Sequence, residues 1–401
     1  MKKSVYLLLV LLLCGLCLAM TSCGDGDAIT LNVYNWGEYI SDGSEESLDV
    51  NKEFEAYYYE TYGIKLKVNY TTYASNEDMY AKLKSGATTY DVIIPSDYMI
   101  ARMINEGMLA ELNFENIPNY EYIVDEYRNL YYDPENCYSI PYTYGMIGVI
   151  YNTNMVDEAD TGSWDLLWNE KYSGKILQFN NSRDAFGTAM YRLGIDVNTN
   201  DAALWRQATD SLKEQKPLVQ SYVMDEIFNK MKGESGAIAP YYAGDFLSMY
   251  DSNNNLAFFY PQEGTNVFVD AMCVPVGSIQ KDVAECYINF MLSRDIAIAN
   301  AEYICYASPN RLVIEDEEYI ACMSEMHEDA MEILYPTQTV DTFYYHNLPA
   351  DTLSMVNGLW EELKIESSGG EGVYICSAVI AGVLAVWFIF LFIRKKYRDS
   401  Y

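Results

Sequence analysis

Two segments near the start of the chain alternate apolar and polar residues, as β-strands do. Residues 29–34 and 64–70 have this period of two, and residues 45–62 between them have a helical pattern. A second helical stretch, 77–84, precedes the short apolar run 90–95, which is typical of a strand buried in a parallel sheet. The order strand, helix, strand, helix, strand predicts an α/β domain whose strand ends present loops on one side.

A second series of strand-like segments follows further along the chain. Its apolar runs are residues 144–151, 175–179 and 236–239. The sequence has no repeat of fixed period between these runs. The pattern therefore predicts two α/β lobes.

The N-terminus has the pattern of a secretory signal. A basic start, an apolar run and small residues follow one another in residues 1–22. Residues 18–23, Leu-Ala-Met-Thr-Ser-Cys, resemble a bacterial lipobox, in which the cysteine is acylated and becomes the mature N-terminus. We therefore expect a lipoprotein signal peptide over 1–22, lipidation of Cys23 and a lipidated linker over 23–28. An uncleaved membrane anchor is the alternative.

An uncharged stretch near the C-terminus is long enough to cross a bilayer. Residues 373–393 contain no charged side chain, and about 20 apolar residues span the ~30 Å hydrocarbon core as a helix. Basic residues open the tail 394–401, which predicts a cytoplasmic C-terminus. The Ser- and Gly-rich residues 367–372 predict a flexible tether. Both ends thus predict an exported region held at the outer face of the cytoplasmic membrane.

The charge of the chain argues against nucleic acid as a partner. The 401 residues include 58 acidic and 26 basic side chains, a formal charge of −32, whereas nucleic acids are bound by neutralising phosphates with Lys and Arg. The 38 Tyr outnumber the 24 Gly, so aromatic faces and carboxylates are both in surplus. A cationic ligand is the natural counterpart.

Cysteine and histidine usage predicts neither a disulfide framework nor a zinc site. Five of the nine cysteines lie in the predicted exported region without C-x-x-C spacing: Cys137, Cys273, Cys286, Cys305 and Cys322. One or two disulfides and buried free thiols both fit this number. With His327 and His346 as the two histidines, we expect no metal and no cofactor, Ca²⁺ on oxygen ligands being the alternative. Serine-hydrolase, HExxH and phosphate-loop motifs are absent, so we expect no catalysis.

Several segments of the predicted exported region carry recognisable motifs. They are 34–40 (YNWGEYI), 75–84 (SNEDMYAKLK), 90–98 (YDVIIPSDY), 138–142 (YSIPY), 242–245 (YAGD), 269–270 (VD), 306–310 (YASPN) and 360–364 (WEELK). In this order they resemble the spermidine/putrescine-binding proteins of bacterial polyamine ABC importers, over nearly all of the exported region. The C-terminal apolar helix is not part of the family's usual pattern.

The resemblance implies an α/β, two-lobe fold of the periplasmic-binding-protein type, type II. Lobe 1 would comprise residues 29–140 and about 274–335. Lobe 2 would comprise residues 141–273 and about 336–366.

A polyamine is a chain of methylenes that carries an ammonium at each end. Its burial requires carboxylates to replace the water around each ammonium and apolar walls for the methylenes. Aromatic faces also attract the cations, by about 0.5–2 kcal/mol each. The many carboxylates of this chain could serve the ammonium groups, and its many aromatic side chains could serve the methylenes.

The resemblance also implies the residues of the ligand site. They are Trp36, Glu38, Tyr39, Ser96, Asp97, Tyr98, Asp184, Tyr242, Asp245, Phe268, Asp270, Tyr306 and His346. Asp270 matches the carboxylate central to amine recognition, and Asp245 resembles the putrescine-type members. Asn181 stands where spermidine-type members carry an acid. We therefore expect binding of both putrescine and spermidine.

The resemblance implies an extracytoplasmic polyamine receptor whose two lobes close on the ligand by a hinge and which delivers it to an ABC importer permease. Its partners would be the polyamine, the permease, and the bilayer through Cys23 and residues 373–393. Clustered carboxylates would bind the cation less well on acidification. The alternatives are a receptor for another cationic solute, a sensory ectodomain coupled through the membrane helix, and an exported glycosidase with two catalytic carboxylates.

Overall fold

The computed structural model describes residues 28–337 and 340–365. The predicted signal peptide, Cys23, the tether, residues 373–393 and the tail lie outside these residues. Within residues 28–337 and 340–365, no helix has the length and apolar character needed to span a bilayer.

The described residues form ten strands and thirteen α-helices, joined by turns and short 3₁₀ segments. The strands are β1 (Ile29–Trp36), β2 (Leu66–Tyr73), β3 (Val92–Ile93), β4 (Ser139–Asn152), β5 (Ile176–Phe179), β6 (Val219–Val223), β7 (Ile238–Tyr242), β8 (Leu256–Phe259), β9 (Thr265–Cys273) and β10 (Thr342–Phe343). The helices are α1 (Val50–Tyr62), α2 (Asn76–Ser85), α3 (Asp97–Asn105), α4 (Ser182–Leu193), α5 (Ala202–Gln215), α6 (Glu226–Lys232), α7 (Ala243–Ser252), α8 (Lys281–Met291), α9 (Arg294–Ile304), α10 (Arg311–Ile314), α11 (Glu317–Met326), α12 (Ala330–Leu334) and α13 (Ala350–Ile365). The predicted alternation of strands and helices is confirmed.

The chain divides into two compact units. Within the described residues, unit 1 comprises 28–147, Tyr241–Leu256 and Asn266–Asn347. Unit 2 comprises Gly148–Pro240, Ala257–Thr265 and 348–365.

These units differ from the predicted lobes in where the first half of β4, the end of β7, α7, β9 and β10 belong. The residues of α7 and nearly all of β9 were predicted in lobe 2 and lie in unit 1. The physical reason for β9 is strand pairing, because Cys273 is in antiparallel register with Ile93 of β3 and Ser139 of β4. A short-range pattern does not specify partners this far apart along the chain.

The sheet of unit 1 has the strand order β2-β1-β3-β9-β4. β1 and β2 pair in parallel over their full length, from Ile29 opposite Leu66 to Trp36 opposite Tyr73. β3 is parallel to β1, and β9 runs antiparallel to its neighbours. Every residue of β9 is buried. This burial means that any polar side chain in β9 must find its partners inside the protein.

Helix ends in unit 1 follow directly from the local sequence. The side chain of Asp49 accepts a hydrogen bond from the Lys52 amide and so caps α1, which ends at Gly63 with a left-handed φ of 69°. Ser75 caps α2 in the same way and also donates to the Asp78 carboxylate at 2.8 Å. These caps satisfy amides that have no partner within the helix, and they fix where the loops between strand and helix end.

The sheet of unit 2 contains the parallel strands β7-β5-β6. Helices α4, α5 and α13 pack against one another in this unit. The Trp360 ring of α13 lies 6.2 Å from that of Phe186 and 5.9 Å from that of Tyr222, measured between centroids. The C-terminal helix of the described chain is thereby part of the core of unit 2.

The five cysteines of the described residues are all free thiols. Cys273 and Cys305 are buried, and Cys322 is exposed. The sequence left disulfides and free thiols open as alternatives, and the described residues contain free thiols.

Candidate functional site

Three of the predicted carboxylates occupy the same kind of position in the fold. Asp97, Asp184 and Asp245 each lie in the first turn of a helix, α3, α4 and α7 respectively. Each helix follows a strand closely, so each acid stands near the carboxyl end of a strand. Helix N-termini favour negative charge because their amides and dipole are positive there. Such a position can stabilise a carboxylate even where few cationic side chains lie nearby.

Asp270 of β9 lies at the centre of the site residues of unit 1. Its carboxylate is 4% exposed and accepts a hydrogen bond of 2.7 Å from the Tyr39 hydroxyl. That hydroxyl also contacts the hydroxyl of Thr143. The second oxygen of Asp270, Oδ1, is buried and has no hydrogen-bond partner among the described residues. A buried, unsatisfied carboxylate oxygen costs free energy and marks a place for a donor.

Burial raises the pKa of Asp270 to about 6, while the nearby hydroxyls of Ser96 and Tyr39 act to lower it. No ion pair among the described residues includes Asp270. A carboxylate that ionises near neutral pH and has no basic partner in the protein can pair with a cation from outside the protein.

Asp97 is a second buried carboxylate next to Asp270. It is 1% exposed, and it accepts hydrogen bonds from the Tyr98 amide at 2.6 Å and the Val269 amide at 3.4 Å. Burial raises the pKa of Asp97 well above its ordinary value, and the nearby Asp270 charge raises it further. Ser96 and Asp270 also form an isolated antiparallel bridge, which holds the two segments side by side.

Aromatic rings surround these carboxylates in unit 1. The Tyr306 ring lies edge-on to that of Tyr39, with 4.9 Å between centroids, and its hydroxyl donates to Asp245 at 2.8 Å. The rings of Tyr242 and Phe268 are 5.4 Å apart and also meet edge to face. Aromatic walls next to carboxylates provide both contacts that an alkyl ammonium needs.

Trp36 is the last residue of β1, and Glu38 lies in the loop that follows it. The Trp36 ring is half-buried and lies 4.7 Å from that of Tyr73, and its Nε1 has no hydrogen-bond partner among the described residues. Glu38 is exposed and has a left-handed φ of 51°. This conformation is costly for a residue with a Cβ and is more often kept where function requires it.

Ser96 and Tyr98 are held in place by α2. The Asn76 side chain donates to the Ser96 hydroxyl at 3.0 Å and to the Tyr98 hydroxyl at 3.2 Å. The Tyr98 hydroxyl in turn donates to Glu77 at 3.1 Å. The Ser-Asn-Glu motif that begins α2 thus positions the residues on either side of Asp97.

His346 is exposed and lies beside Tyr131, with 4.7 Å between ring centroids. Tyr131 donates to the Tyr345 carbonyl at 2.5 Å, and its nearby hydroxyl acts to lower the pKa of Asp97. The connection of His346 to the carboxylates therefore passes through Tyr131.

Asp184 is the predicted site residue that lies in unit 2. It is 6% exposed and accepts a hydrogen bond of 2.9 Å from the Asn181 side-chain amide. Asn181 also caps α4, through a bond from the Arg183 amide at 3.0 Å. The residue that replaces an acid of the spermidine-type members is therefore a helix cap and a donor to Asp184.

The structure adds residues that the sequence did not single out. Thr143 contacts Tyr39, Asn76 positions Ser96 and Tyr98, and Tyr131 contacts Asp97. Asn76 lies inside one of the recognised motifs and Thr143 follows another, so proximity to a motif could have indicated them. Tyr131 lies near none of the recognised motifs, so nothing in the sequence indicated it.

Among residues 28–337 and 340–365, no cluster of three or more His, Cys, Asp or Glu side chains has an arrangement that could hold a metal ion.

Comparison with known proteins gives a family match over more than half of the chain. The family described as bacterial extracellular solute-binding protein matches residues 87–320. The spermidine/putrescine-binding periplasmic protein of Salmonella typhimurium is 31% identical over 356 residues, 87% of this chain and 95% of the relative. The putrescine-binding periplasmic protein PotF of Escherichia coli is 27% identical, with 70% of this chain and 78% of the relative covered.

Solved structures give the same result. A putative spermidine/putrescine ABC transporter from Listeria monocytogenes superposes with a TM-score of 0.75 at 32% identity, covering 84% of this chain and all of the other. The spermidine/putrescine substrate-binding protein PotD of Streptococcus pneumoniae superposes with a TM-score of 0.66, also at 32% identity, and covers 84% of this chain and 99% of the other. The predicted two-lobe α/β substrate-binding fold is confirmed.

The predicted location at the outer face of the cytoplasmic membrane is wrong. The matching relatives from Salmonella typhimurium and Escherichia coli are named periplasmic proteins. The prediction rested on the apolar composition of the two ends of the chain, and both Cys23 and residues 373–393 lie outside the described residues. Composition shows that a segment can enter a bilayer, whereas the names of the relatives place those proteins in the periplasm.

Proposed function

The chain belongs to the bacterial extracellular solute-binding proteins, and from this premise we propose that it is an extracytoplasmic polyamine receptor. It binds putrescine and spermidine and delivers them to the permease of an ABC transporter. The role is one of binding and transfer, not of catalysis. The relatives support this proposal because they match most of the chain and are named for these two ligands.

The observation that carries the proposal is the buried Oδ1 of Asp270, which lacks a partner among the described residues. An ammonium of the ligand supplies the missing donor and the missing positive charge. The rings of Tyr39, Tyr306 and Phe268 enclose the methylenes next to it. A sugar or another neutral solute would leave the charge of Asp270 uncompensated.

Asp245 is the proposed partner of the second ammonium, because it is 8% exposed and accepts a hydrogen bond from the Tyr306 hydroxyl. The part of Asp184 in ligand binding and the closure of the two lobes stay predictions from the resemblance.

A ligand panel tests the proposal. We expect putrescine and spermidine to raise the melting temperature of the purified protein, with cadaverine and spermine as comparisons for chain length. Asp270→Asn should weaken putrescine binding by about 100-fold, since loss of one member of a buried charge pair costs about 2–5 kcal/mol. Calorimetry measures this affinity.

Asp133→Asn is the matched control, because Asp133 is a buried aspartate of unit 1 that accepts bonds from the Cys137 and Tyr138 amides outside the site. Its affinity for putrescine should equal that of the wild type. The absence of a thermal shift with any of the four polyamines would refute the proposed function. Normal binding by Asp270→Asn would refute the assignment of the site.

A further inference from the structure

Asp97 is a buried carboxylate that the proposed ammonium contacts do not use. Its two hydrogen bonds come from backbone amides, of Tyr98 and of Val269. Val269 immediately precedes Asp270 in β9, and Ala271, on the other side, donates its amide to the Pro95 carbonyl at 3.1 Å. The start of α3 and the middle of β9 are therefore joined on both sides of the two carboxylates.

The groups that face Asp97 are neutral or negative. Asp270 faces it from β9, and Tyr131 and Tyr132 face it from the segment that precedes β4. Tyr344 faces it from the segment after β10. No ion pair among the described residues includes Asp97 or Asp270. Two buried carboxylates without a cation cannot both be ionised at low cost, so the empty pair favours a shared negative charge and one proton.

We propose that Asp97 holds a proton in the empty receptor and releases it to solvent when a polyamine ammonium binds at Asp270. This inference rests on the proposed function and specifies how the site keeps its charge balanced. The O–H bond of the Asp97 carboxyl breaks, the proton passes to water or buffer, and the new carboxylate pairs with the charge of the ligand. No group is oxidised or reduced, and one positive charge replaces another.

The alternative for Asp97 is a purely structural role as a hydrogen-bond acceptor at the start of α3. The Asp97→Asn variant separates the two roles. The asparagine oxygen can still accept the shorter amide bond, that of Tyr98 at 2.6 Å, but the amide nitrogen cannot accept the bond from Val269, and the side chain has no proton to release. A structural role therefore predicts unchanged proton exchange, and the proposed role predicts its loss.

The test is calorimetry of putrescine binding at about pH 7.5, where Asp270 is already mostly ionised, in phosphate and in Tris. These buffers differ in ionisation enthalpy, so the difference in measured heat gives the number of protons exchanged. We expect close to one proton released per ligand by the wild type and by Asp133→Asn, and close to none by Asp97→Asn. The affinity of Asp97→Asn should also vary less with pH, and should approach that of the wild type in acid.

A second measurement needs no variant. The infrared carbonyl band of a protonated carboxyl group should be present in the empty wild type and disappear when putrescine is added. Binding that is the same in both buffers, or a band that putrescine leaves in place, would overturn the role of Asp97 while the polyamine receptor stands. A wild type that binds no polyamine would instead overturn the proposed function.

Discussion

At the scale of single residues, burial separates two of the proposed site acids, Asp270 and Asp97, from the exposed carboxylates. Asp270 and Asp97 are nearly inaccessible, and burial raises the pKa of both. Glu38, in contrast, is exposed and depends on its unusual backbone conformation for its position. Side-chain carboxylates therefore differ in their chemistry according to how deeply the fold buries them.

The raised pKa of Asp270 has a consequence for stability without ligand. The folded protein keeps this proton up to about pH 6, whereas the unfolded chain loses it near 3.8. The contribution of Asp270 to stability is thus fully present below about pH 4 and is lost as pH rises through about 6. The loss amounts to about 3 kcal/mol, from ~1.4 kcal/mol per pKa unit.

We therefore expect Asp270→Asn to be more stable than the wild type at neutral pH, by up to about 3 kcal/mol. The difference should shrink towards zero near pH 4, because both side chains are then neutral. Urea unfolding of the ligand-free proteins at several pH values measures it. An equal difference at every pH would contradict the burial of an ionised Asp270.

At the scale of elements, the site depends on how closely helix α7 approaches Tyr306. Gly244, in the first turn of α7, has no room for a side chain: a Cβ there would lie 2.8 Å from Cγ of the Tyr306 ring, and nearer still to two other ring carbons. The close approach allows Tyr306 to reach Asp245, one residue further along α7. A small residue at this position thus fixes the distance between an aromatic wall and a carboxylate.

We expect Gly244→Ala to destabilise the protein by about 1–3 kcal/mol, because it overpacks a buried contact. It should also weaken putrescine binding, since the Tyr306 ring must move away from Asp245. Gly358→Ala in α13 is the control: apart from the neighbouring backbone of its own helix, no heavy atom of the described residues lies within 4 Å of its Cβ position, and alanine favours the helix by up to about 1 kcal/mol. Chemical unfolding and calorimetry give both quantities. A Gly244→Ala protein as stable and as tight-binding as the wild type would show that Tyr306 is not held in this way.

At the scale of the whole molecule, the charge of −32 acts on the approach of the ligand. Most of the acidic side chains behind this charge lie away from the site, where solvent and ions screen them over about 8–10 Å at physiological salt. Their summed field still attracts a polycation and raises its association rate.

We expect the association rate of spermidine to fall about tenfold when salt rises from low to physiological concentration. The decrease for putrescine should be smaller, because putrescine carries one cation fewer. Stopped-flow fluorescence of the tyrosine and tryptophan residues measures both rates, with sucrose at matched viscosity as the control. Rates that salt leaves unchanged would mean that the acidic surface has no part in capture.

The sequence by itself determined the local elements, the family and the identity of the candidate acids. The strands at the start of the chain and the helices after them follow from short-range periodicity and from caps such as Ser75, which act within a few residues. The motifs around Trp36, Asp97 and Asp270 are local as well, so the resemblance could be read without a structure.

Only the tertiary structure decided which of these residues lie together and what each can do. The pairing of β9 with β3 and β4 places Asp270 beside Asp97 and Tyr39, although more than 170 residues separate Asp270 from either in the chain. In the folded chain Oδ1 of Asp270 is buried without a partner among the described residues, whereas His346 lies on the surface. Burial and hydrogen bonding depend on these long-range contacts, and they set the pKa and the charge that the binding chemistry requires.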